Sequence, residues 1–377
     1  MKIAVNTRLL LYNKLEGIGY FTLKTLEKVV KSHPEDEFIF FFDRKYDKSY
    51  LFAENVTPVV INFPTRHPIL WYVYFEWLIP LYLKKYKVDM FFSPDSFIPI
   101  KTRIPTLNTF HDLNYEYNPK YIGNWWHRRY LLKYFPLFAK NATHLITVSY
   151  YSKRDLMEFY DIAENKIDVV YNAANELYYV VSEEERNIAK QKLTKGKDYF
   201  YFVGAIHKRK NLTNLFKAFD LFKYKTNSDV KLVIIGSKKY WKGEIEDAFN
   251  HLTYKKDVIF TGRLEAKDIN LIANSALALT FVSQFEGFGI PIVEAFAAGC
   301  PVITSNTTSM PEVGGNAALY GDPYLPQRIA DAMEKIYSEP EFRESLTQKG
   351  FEQNKKFNWD KSADKLWEAM QKTKKIG

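Results

Sequence analysis

The chain has 377 residues, of which 46% are hydrophobic and 26% are charged, and its formal net charge is +9. This length and composition predict a folded protein with two domains, and a single cysteine, Cys300, excludes an intramolecular disulfide. The longest apolar stretch, residues 69–83, contains Glu76 and Pro80 and is shorter than the roughly 20 residues that span a bilayer, so we expect no transmembrane helix. The first residues predict a strand and not a signal region, which favours a cytoplasmic protein.

The first 175 residues alternate short apolar stretches with amphipathic ones. Near-continuous apolar strands separated by helices predict a parallel sheet that is covered on both faces. The predicted strands have the sequences KIAVNTRLL, EFIFFFD, PVVINF, VDMFFSP, TLNTFHD, HLITVS and KIDVVYN. Helical patterns between them include YFTLKTLEKVVKSH and WHRRYLLKYFPLFAK.

A polar segment at residues 174–198 interrupts this alternation, and a second series of strands follows it: YFYFVG, VKLVIIGS, DVIFTG, ALALTFVS and PVITSN. We therefore predict an α/β protein with two doubly wound, Rossmann-like domains, 1–175 and 176–357. A final helix at 358–377 is expected to pack back on the first domain. Ligands of such sheets bind at the carboxyl ends of the strands, so we expect the functional site in a cleft between the two domains.

Two stretches of the first predicted domain could carry function. EGIGYFTLKTL, residues 16–26, enters a helix through Gly17 and Gly19 but lacks the G-x-G-x-x-G spacing of a dinucleotide site. TLNTFHDLNYEY ends a predicted strand in His111 and Asp112, where a doubly wound domain presents functional groups. A capping His–Asp pair in a loop is the structural alternative.

The first strand of the second predicted domain leads into a basic loop. His207, Lys208, Arg209 and Lys210 place positive charge at the end of that strand. Arginine binds phosphate in a bidentate geometry and lysine supplies a mobile charge, so the loop could neutralise a diphosphate leaving group. A solvated basic turn is the alternative.

The stretch EGFGIPIVEAFAAGCPVIT, residues 286–304, places one carboxylate before a glycine-containing turn and another in the helix that follows. Pro291 suits the first turn of a helix, which should begin near residue 290 with N–H groups free for a phosphate. Glu294 could accept hydrogen bonds from two vicinal hydroxyls, as on a ribose, and Glu286 could reach another part of the same ligand. An exposed glutamate and an acidic first helical turn are the alternative.

Several motifs are missing from the sequence. It contains no Cys/His cluster with zinc spacing, no G-x-x-x-x-G-K-[ST] and no G-x-S-x-G. No Asp-x-Asp ends a predicted strand, so the pattern does not indicate a metal that bridges a nucleotide diphosphate. We therefore expect no cofactor and no obligatory metal, and we expect cationic side chains and helix N-termini to bind the diphosphate instead.

Residues 66–140 combine positive charge with aromatic side chains. They hold eleven Lys and Arg against five Asp and Glu, together with twenty aromatic residues. This composition favours contact with nucleic acid or with an anionic membrane surface. A solvated basic face over an aromatic core is the structural alternative.

In this order, the four motifs resemble glycosyltransferase family 4, a group of retaining sugar-nucleotide transferases with the GT-B fold. The most specific feature is the pair Glu286 and Glu294, with seven residues between them, followed by SNTTSMPEVGGNAA. HDL at 111–113 and RKN at 209–211 also match the family. VVYNAANELY at 169–178 resembles its interdomain linker.

The resemblance implies roles for particular residues. The residues expected to be catalytic are Glu286, His111, Arg209 and Lys210. The residues expected to bind the donor are Glu294, Gly287, Phe288, Gly289, Gly17, Gly19, Gly262 and Arg263. Many members have an arginine directly after the first strand of the second domain, where this chain has Ala205. Arg209 or His207 is therefore expected to take over that diphosphate contact.

The resemblance further implies transfer of a hexosyl group from a nucleotide-diphosphate sugar to a glycan or lipid-linked glycan, with retained configuration and no side-chain nucleophile. The motif forms favour mannose and GDP-mannose, while UDP-hexoses and dTDP-rhamnose stay open. A sugar-nucleotide 2-epimerase and a non-enzymatic nucleic-acid-binding protein are the alternatives, and we expect no nucleic-acid partner. We favour a cytoplasmic protein with a peripheral contact to the anionic inner membrane face, through Trp125, Trp126, Arg128 and Arg129.

Overall fold

The computed structural model describes residues 1–12, 15, 17–65, 67–238 and 241–376. The chain divides into two compact units. Unit 1 comprises Met1–Asn172 and Trp359–Gly377, and unit 2 comprises Ala173–Asn358. Each unit contains a parallel sheet with helices packed against it.

Unit 1 is built on seven described strands in the order β3-β2-β1-β4-β5-β6-β7, all of them parallel. Its strands are β1 Lys2–Asn6, β2 Glu37–Phe42, β3 Val56–Val60, β4 Met90–Ser93, β5 Thr106–Phe110, β6 His144–Thr147 and β7 Ile167–Val169. Its helices are α1 Gly17–Ser32, α2 Pro68–Val73, α3 Ile79–Tyr86, α4 Asn114–Tyr117, α5 Trp125–Asn141, α6 Tyr150–Tyr160 and α15 Trp359–Ile376. A π-helical turn, Tyr74–Leu78, joins α2 to α3.

Unit 2 is built on six described strands in the order β10-β9-β8-β11-β12-β13, again all parallel. Its strands are β8 Tyr199–Val203, β9 Lys231–Ile235, β10 Val258–Gly262, β11 Ala278–Phe281, β12 Val302–Ser305 and β13 Ala318–Gly321. Its helices are α7 Glu183–Thr194, α8 Leu212–Thr226, α9 Glu244–Asn250, α10 Ala266–Ser275, α11 Ile290–Ala297, α12 Met310–Gly314, α13 Pro326–Ser338 and α14 Pro340–Asn354.

The central strands form because their side chains are apolar on both faces. All four residues of β4 and all four residues of β11 are buried, as expected for parallel strands that helices cover on both sides. In both sheets the first strand of the unit is the third strand from one edge, and the strand order reverses beside it. The predicted class, two doubly wound α/β domains, is therefore confirmed.

The final helix of the chain, α15, packs on unit 1 after the chain leaves unit 2. Leu366 and Met370 are fully buried in this packing. Lys372 Nζ donates to Asp168 Oδ2 at 2.7 Å, and Ser362 Oγ donates to the Tyr171 carbonyl at 2.7 Å. Unit 1 is thus completed by a segment that is more than 180 residues distant from the rest of it in the chain.

The apolar stretch at residues 69–83 forms α2, the π-helical turn and most of α3. Pro80 sits in the first turn of α3, where its missing N–H is tolerated. None of the helices that the structure describes has the length and apolar character of a membrane span.

Candidate functional site

Two loops meet at the carboxyl edge of the unit 2 sheet, one after β8 and one after β11. The first contains a 3₁₀ turn, Lys208–Lys210, which His207 caps by accepting the Arg209 N–H on Nδ1 at 3.2 Å. The Gln284 N–H donates to the Arg209 carbonyl at 2.9 Å and joins the two loops. Asn211, which follows the 3₁₀ turn, also joins the two loops, because its Nδ2 donates to the Val282 carbonyl at 3.0 Å.

Glu286 lies between two cations of the first loop. Lys210 Nζ donates to its Oε1 at 2.7 Å, and Arg209 Nη1 donates to its Oε2 at 2.8 Å. The carboxylate is 7% exposed, so both ion pairs are largely shielded from water. Sequence analysis predicted Glu286, Arg209 and Lys210 as site residues, and the structure brings these three together.

The electrostatics of this group favour a bound anion. Burial alone would raise the pKa of Glu286, but Lys210 and Arg209 outweigh it and hold its pKa at about 2. The pKa of His207 is lowered by burial first and then by the charges of Arg209 and Lys210. Two cations, Arg209 and Lys210, therefore face one ionised carboxylate, Glu286, at the end of β8.

The helix α11 begins directly beside Glu286. Gly289 precedes it with φ of 103°, a left-handed conformation that favours glycine. Ser309 Oγ lies 2.8 Å from the Glu286 carbonyl and 3.0 Å from the Phe288 carbonyl, and it fixes the turn that contains Gly287. The predicted donor-binding residues 287–289 thus form the entry to a helix N-terminus, which suits an anionic group.

Glu294, the second predicted carboxylate, lies one turn into α11 and is partly buried. Desolvation raises its pKa to about 8, although a hydrogen bond with Tyr178 opposes this shift. Near neutral pH the Glu294 carboxyl group is therefore largely protonated. A higher pH, or a ligand that stabilises the carboxylate, would ionise it.

Three glycines lie at the carboxyl ends of neighbouring strands of unit 2. A Cβ on Gly236, after β9, would lie 2.0 Å from the Gly204 carbonyl oxygen after β8, so no side chain fits there. Gly262 ends β10 with φ of 75° in open space, and Arg263 after it is exposed. Sequence analysis predicted Gly262 and Arg263 as donor-binding residues but missed Gly236, whose requirement arises from a contact between two strands.

In unit 1, His111 follows β5 at the carboxyl edge of the sheet. Its Nε2 lies 2.8 Å from the Pro94 carbonyl, and its ring packs edge-on against Phe21 at 5.1 Å. Burial lowers the pKa of His111, so the neutral form is favoured. A carbonyl only accepts, which assigns the proton to Nε2 and leaves Nδ1 as an acceptor. Asp112 accepts the Asn114 N–H at 3.0 Å and shapes the turn that follows.

Next to His111 lies a buried polar network that sequence analysis missed. Asp95, after β4, accepts from Asn6 Nδ2 at 2.7 Å and from Arg8 Nε at 2.5 Å. The Arg8 guanidinium also lies over the ring of Phe97, 4.4 Å from its centroid. Buried charges at the ends of β1 and β4 were detectable in principle, because a doubly wound sheet binds ligands where its strand order reverses.

The predicted glycines of α1 have different surroundings. Gly17 begins the helix and is exposed, whereas Gly19 is buried. A Cβ on Gly19 would lie 2.8 Å from the Leu9 carbonyl oxygen, so this glycine lets α1 approach the segment after β1. Glu16, at the start of the motif, lies outside the described residues.

One group of His and carboxylate side chains in the described parts of the chain could hold a metal ion, namely His33, Glu35 and Asp36. It precedes β2 at the amino edge of the unit 1 sheet, away from His111. Asp36 already pairs with the amino terminus. This group therefore does not belong to the candidate site.

The basic aromatic span divides between core and surface, with Arg66 outside the described residues. Tyr74, Phe75 and Phe97 belong to the core of unit 1. Trp125 and Trp126, at the start of α5, are exposed. The aromatic-core interpretation thus holds for the first set, and contact of the exposed set with a membrane or another partner stays a prediction.

Two family models match the chain. The model described as Glycosyltransferase Family 4 matches residues 35–176, and the model described as Glycosyl transferases group 1 matches residues 183–353. The chain is 26% identical to O-antigen chain mannosyltransferase B of Escherichia coli over 376 residues, which cover 96% of this chain and 97% of that protein. It is 29% identical to the O-antigen chain mannosyltransferase RfbU of Salmonella typhimurium, over 73% of this chain and 72% of that protein.

Solved structures share the fold at lower identity. Sucrose-phosphate synthase from Thermosynechococcus elongatus is similar with a TM-score of 0.77 at 16% identity, covering 98% of each chain. Anabaena Alr3699/HepE in complex with UDP and glucose is similar with a TM-score of 0.74 at 16% identity, covering 98% of this chain and 99% of that one. WaaG, a glycosyltransferase involved in lipopolysaccharide biosynthesis, has a TM-score of 0.72 at 14% identity, covering 97% and 98%. With both units matched by glycosyltransferase models and both sheets matched by glycosyltransferase structures, the chain is a GT-B glycosyltransferase and belongs to glycosyltransferase family 4.

Proposed function

We propose that this protein is a retaining, metal-independent hexosyltransferase that transfers mannose from GDP-mannose to a glycan or lipid-linked glycan during the synthesis of a cell-surface polysaccharide. The O-antigen mannosyltransferases among its relatives support mannose and this kind of product. The observation that carries the proposal is the pair of cations around Glu286 at the carboxyl edge of unit 2. Such a charge arrangement suits a nucleotide diphosphate.

In the proposed reaction, the acceptor hydroxyl oxygen bonds to the anomeric carbon on the face from which the diphosphate departs. The bond between the anomeric carbon and the phosphate oxygen breaks, and its electron pair stays with the diphosphate. The hydroxyl proton passes to a departing phosphate oxygen. Lys210 and Arg209 stabilise the negative charge that grows there, and a metal ion is not needed for that task.

The remaining residues hold the donor in the proposed complex. Glu286 and the backbone of residues 287–289 contact the transferred sugar. Glu294 accepts hydrogen bonds from the ribose hydroxyls, and His111 presents an acceptor nitrogen to a sugar hydroxyl. The remaining donor contacts are assigned to Gly17, Gly19, Gly262 and Arg263.

A thermal-shift panel of nucleotide sugars tests the donor. A ligand that binds only the folded protein raises its melting temperature, so GDP-mannose should raise it more than UDP-glucose or dTDP-rhamnose. A UDP-hexose is the second candidate, because HepE binds UDP and glucose in its structure. The absence of a shift with every nucleotide sugar would contradict the donor site.

Three further measurements test the reaction type. NMR of the product should show the anomeric configuration of the donor, and EDTA should leave the rate unchanged. Incubation with the donor alone should release no epimer, which separates a transferase from a 2-epimerase.

We also propose that unit 1 contacts the anionic inner membrane face from the cytoplasm. Exposed apolar side chains on two helical segments support this: Ile69 is 64% exposed, Trp77 63%, Leu81 63% and Trp126 60%. Arg129 lies 4.8 Å above the ring of Trp125, so cationic and aromatic groups share this surface. Tryptophan and arginine are the side chains that favour an anionic lipid interface.

Flotation with vesicles tests this contact. Vesicles that contain anionic lipid should carry the protein upward at low salt, while phosphatidylcholine vesicles should carry less. Trp126→Ser should weaken flotation, and Tyr224→Ser, which changes an exposed side chain of unit 2, is the matched control. A salt-dependent gel shift with nucleic acid should show no complex.

A further inference from the structure

A pocket of about 280 Å³ lies at the amino edge of the unit 2 sheet. Ala276 and Pro301, which precede β11 and β12, form part of its wall. Arg186 of α7 and Arg343 of α14 line it from the helices. The proposed donor site follows the carboxyl ends of the same parallel strands, so the two sites lie at opposite edges of the sheet.

The charges that line this pocket are not balanced. Among the residues that the structure describes, neither Arg186 nor Arg343 forms an ion pair. Glu344 is the one carboxylate in the lining, and its Oε1 accepts a hydrogen bond from Gln348 Nε2 at 2.8 Å. Two guanidinium groups against one carboxylate leave a net positive charge.

Arg186 is the feature that most clearly indicates a ligand. Its Nε is buried and has no hydrogen-bond partner. A buried N–H without a partner costs free energy, which is recovered when the side chain turns its Nε toward an acceptor in the pocket. A guanidinium presents its donors in a planar fork that matches the oxygens of phosphate or carboxylate.

The other polar groups of the pocket are already engaged. Asn274 Nδ2 donates to the Tyr179 carbonyl at 2.9 Å, and its Oδ1 accepts the Val181 N–H at 2.9 Å. Arg343 uses Nη1 to donate to the Ile336 carbonyl at 3.1 Å, which fixes the guanidinium at the end of α13. Recognition of a ligand therefore falls to the two arginines.

We propose that this pocket binds a small phosphate-bearing anion through Arg186 and Arg343. The anion supplies oxygens to the Arg186 Nε–H and to the remaining donors of Arg343, and so joins α7 to α14. These are the first and last helices of unit 2, and the anion therefore stabilises the folded unit without contacting the donor site.

Calorimetric titration of the full-length protein with inorganic phosphate, at an ionic strength held constant with chloride, tests the proposal. Arg186→Gln and Arg343→Gln should each weaken phosphate binding at least tenfold. Because phosphate can also enter the donor site, Lys210→Ala is titrated in parallel. It should weaken only binding at the donor site and leave the binding that depends on Arg186 and Arg343 unchanged. Binding that Lys210→Ala abolishes and that the arginine variants retain would overturn the proposal.

A second variant keeps the test independent of any folding defect in the arginine variants. Glu344 is exposed, and Glu344→Gln removes the negative charge of the pocket while both arginines stay in place. Phosphate should then bind several-fold more tightly, and unchanged or weaker binding would contradict the assignment. Parallel titrations with glycerol phosphate and with acetate separate a phosphate ester and a carboxylate from the free phosphate ion.

Discussion

The carboxyl edges of the two sheets differ in how their charges are arranged. In unit 2, two cations, Lys210 and Arg209, pair with the same carboxylate, Glu286. In unit 1, Arg8 pairs with Asp95, and the histidine beside them is held in its neutral form. The two cations at the edge of unit 2 favour a bound anion, whereas the charges of Arg8 and Asp95 at the edge of unit 1 cancel each other.

Under the proposed function, the carboxyl edges of unit 2 and unit 1 therefore have different roles. An excess of fixed cations stabilises charge that develops on a diphosphate. A balanced buried network instead holds backbone and side chains in position, and His111 can then offer an uncharged acceptor to a sugar hydroxyl. Removal of charge should therefore affect catalysis in unit 2 and folding in unit 1.

Lys210→Ala should have the largest effect on turnover. One fixed donor at developing charge contributes roughly 3 kcal/mol, so we expect kcat to fall ~100-fold or more. Lys208→Ala is the matched control, because Lys208 belongs to the same turn but is exposed and pairs with Glu244 at 2.9 Å. Circular dichroism should show both variants folded, and full activity in a folded Lys210→Ala protein would refute the role.

Asp95→Asn should mainly destabilise unit 1. Removal of one partner leaves the buried Arg8 unpaired, which costs about 3 kcal/mol of unfolding free energy. The double variant Arg8→Met/Asp95→Leu removes both charges and should recover a large part of that loss. Denaturant unfolding measures both values, and an Asp95→Asn protein as stable as the wild type would show that the ion pair does not stabilise unit 1.

Glu294→Gln should have a smaller effect that depends on pH. The folded-state pKa of about 8 lies above that of an ordinary glutamate, so the wild type loses stability from this group as pH rises from about 4.5 to 8. The variant lacks this loss and should be more stable than the wild type at pH 8, with a smaller difference at pH 5. Thermal unfolding at both pH values checks the sign.

The same variant tests ligand binding. If Glu294 holds the ribose as a carboxylate, the affinity of the wild type for the donor should rise with pH through about 8, and Glu294→Gln should abolish that rise. If the affinity for the donor does not depend on pH in the wild type or in the variant, Glu294 does not bind the donor as a carboxylate. The prediction on stability is independent of that result.

Much of the fold could be predicted because apolar strands and amphipathic helices leave local patterns. The start of α11 near residue 290 followed from Pro291 and the glycines before it. Lys210 and Glu286 could be predicted as site residues because both follow the carboxyl ends of strands, and the structure adds that β8 and β11 are neighbours, which brings the two side chains together. Their catalytic roles stay predictions until activity is measured.

The features that the sequence analysis missed depend on contacts between segments that are far apart in the chain, and such contacts leave no local sequence pattern. Arg8 and Asp95 are 87 residues apart, and neither belongs to a recognisable motif. Gly236 requires glycine only because the Gly204 carbonyl approaches it. The two arginines of the amino-edge pocket lie on α7 and α14, and only the packed unit brings them to one cavity.

The return of α15 to unit 1 has a consequence for biosynthesis. Trp359, Leu366 and Met370 fill the core of a unit whose other residues leave the ribosome long before them. Unit 2, by contrast, is continuous in the chain and can fold as it emerges. The core of unit 1 is therefore completed only after α15 has been translated, and a nascent chain that stops near residue 358 should expose apolar surface to chaperones and proteases.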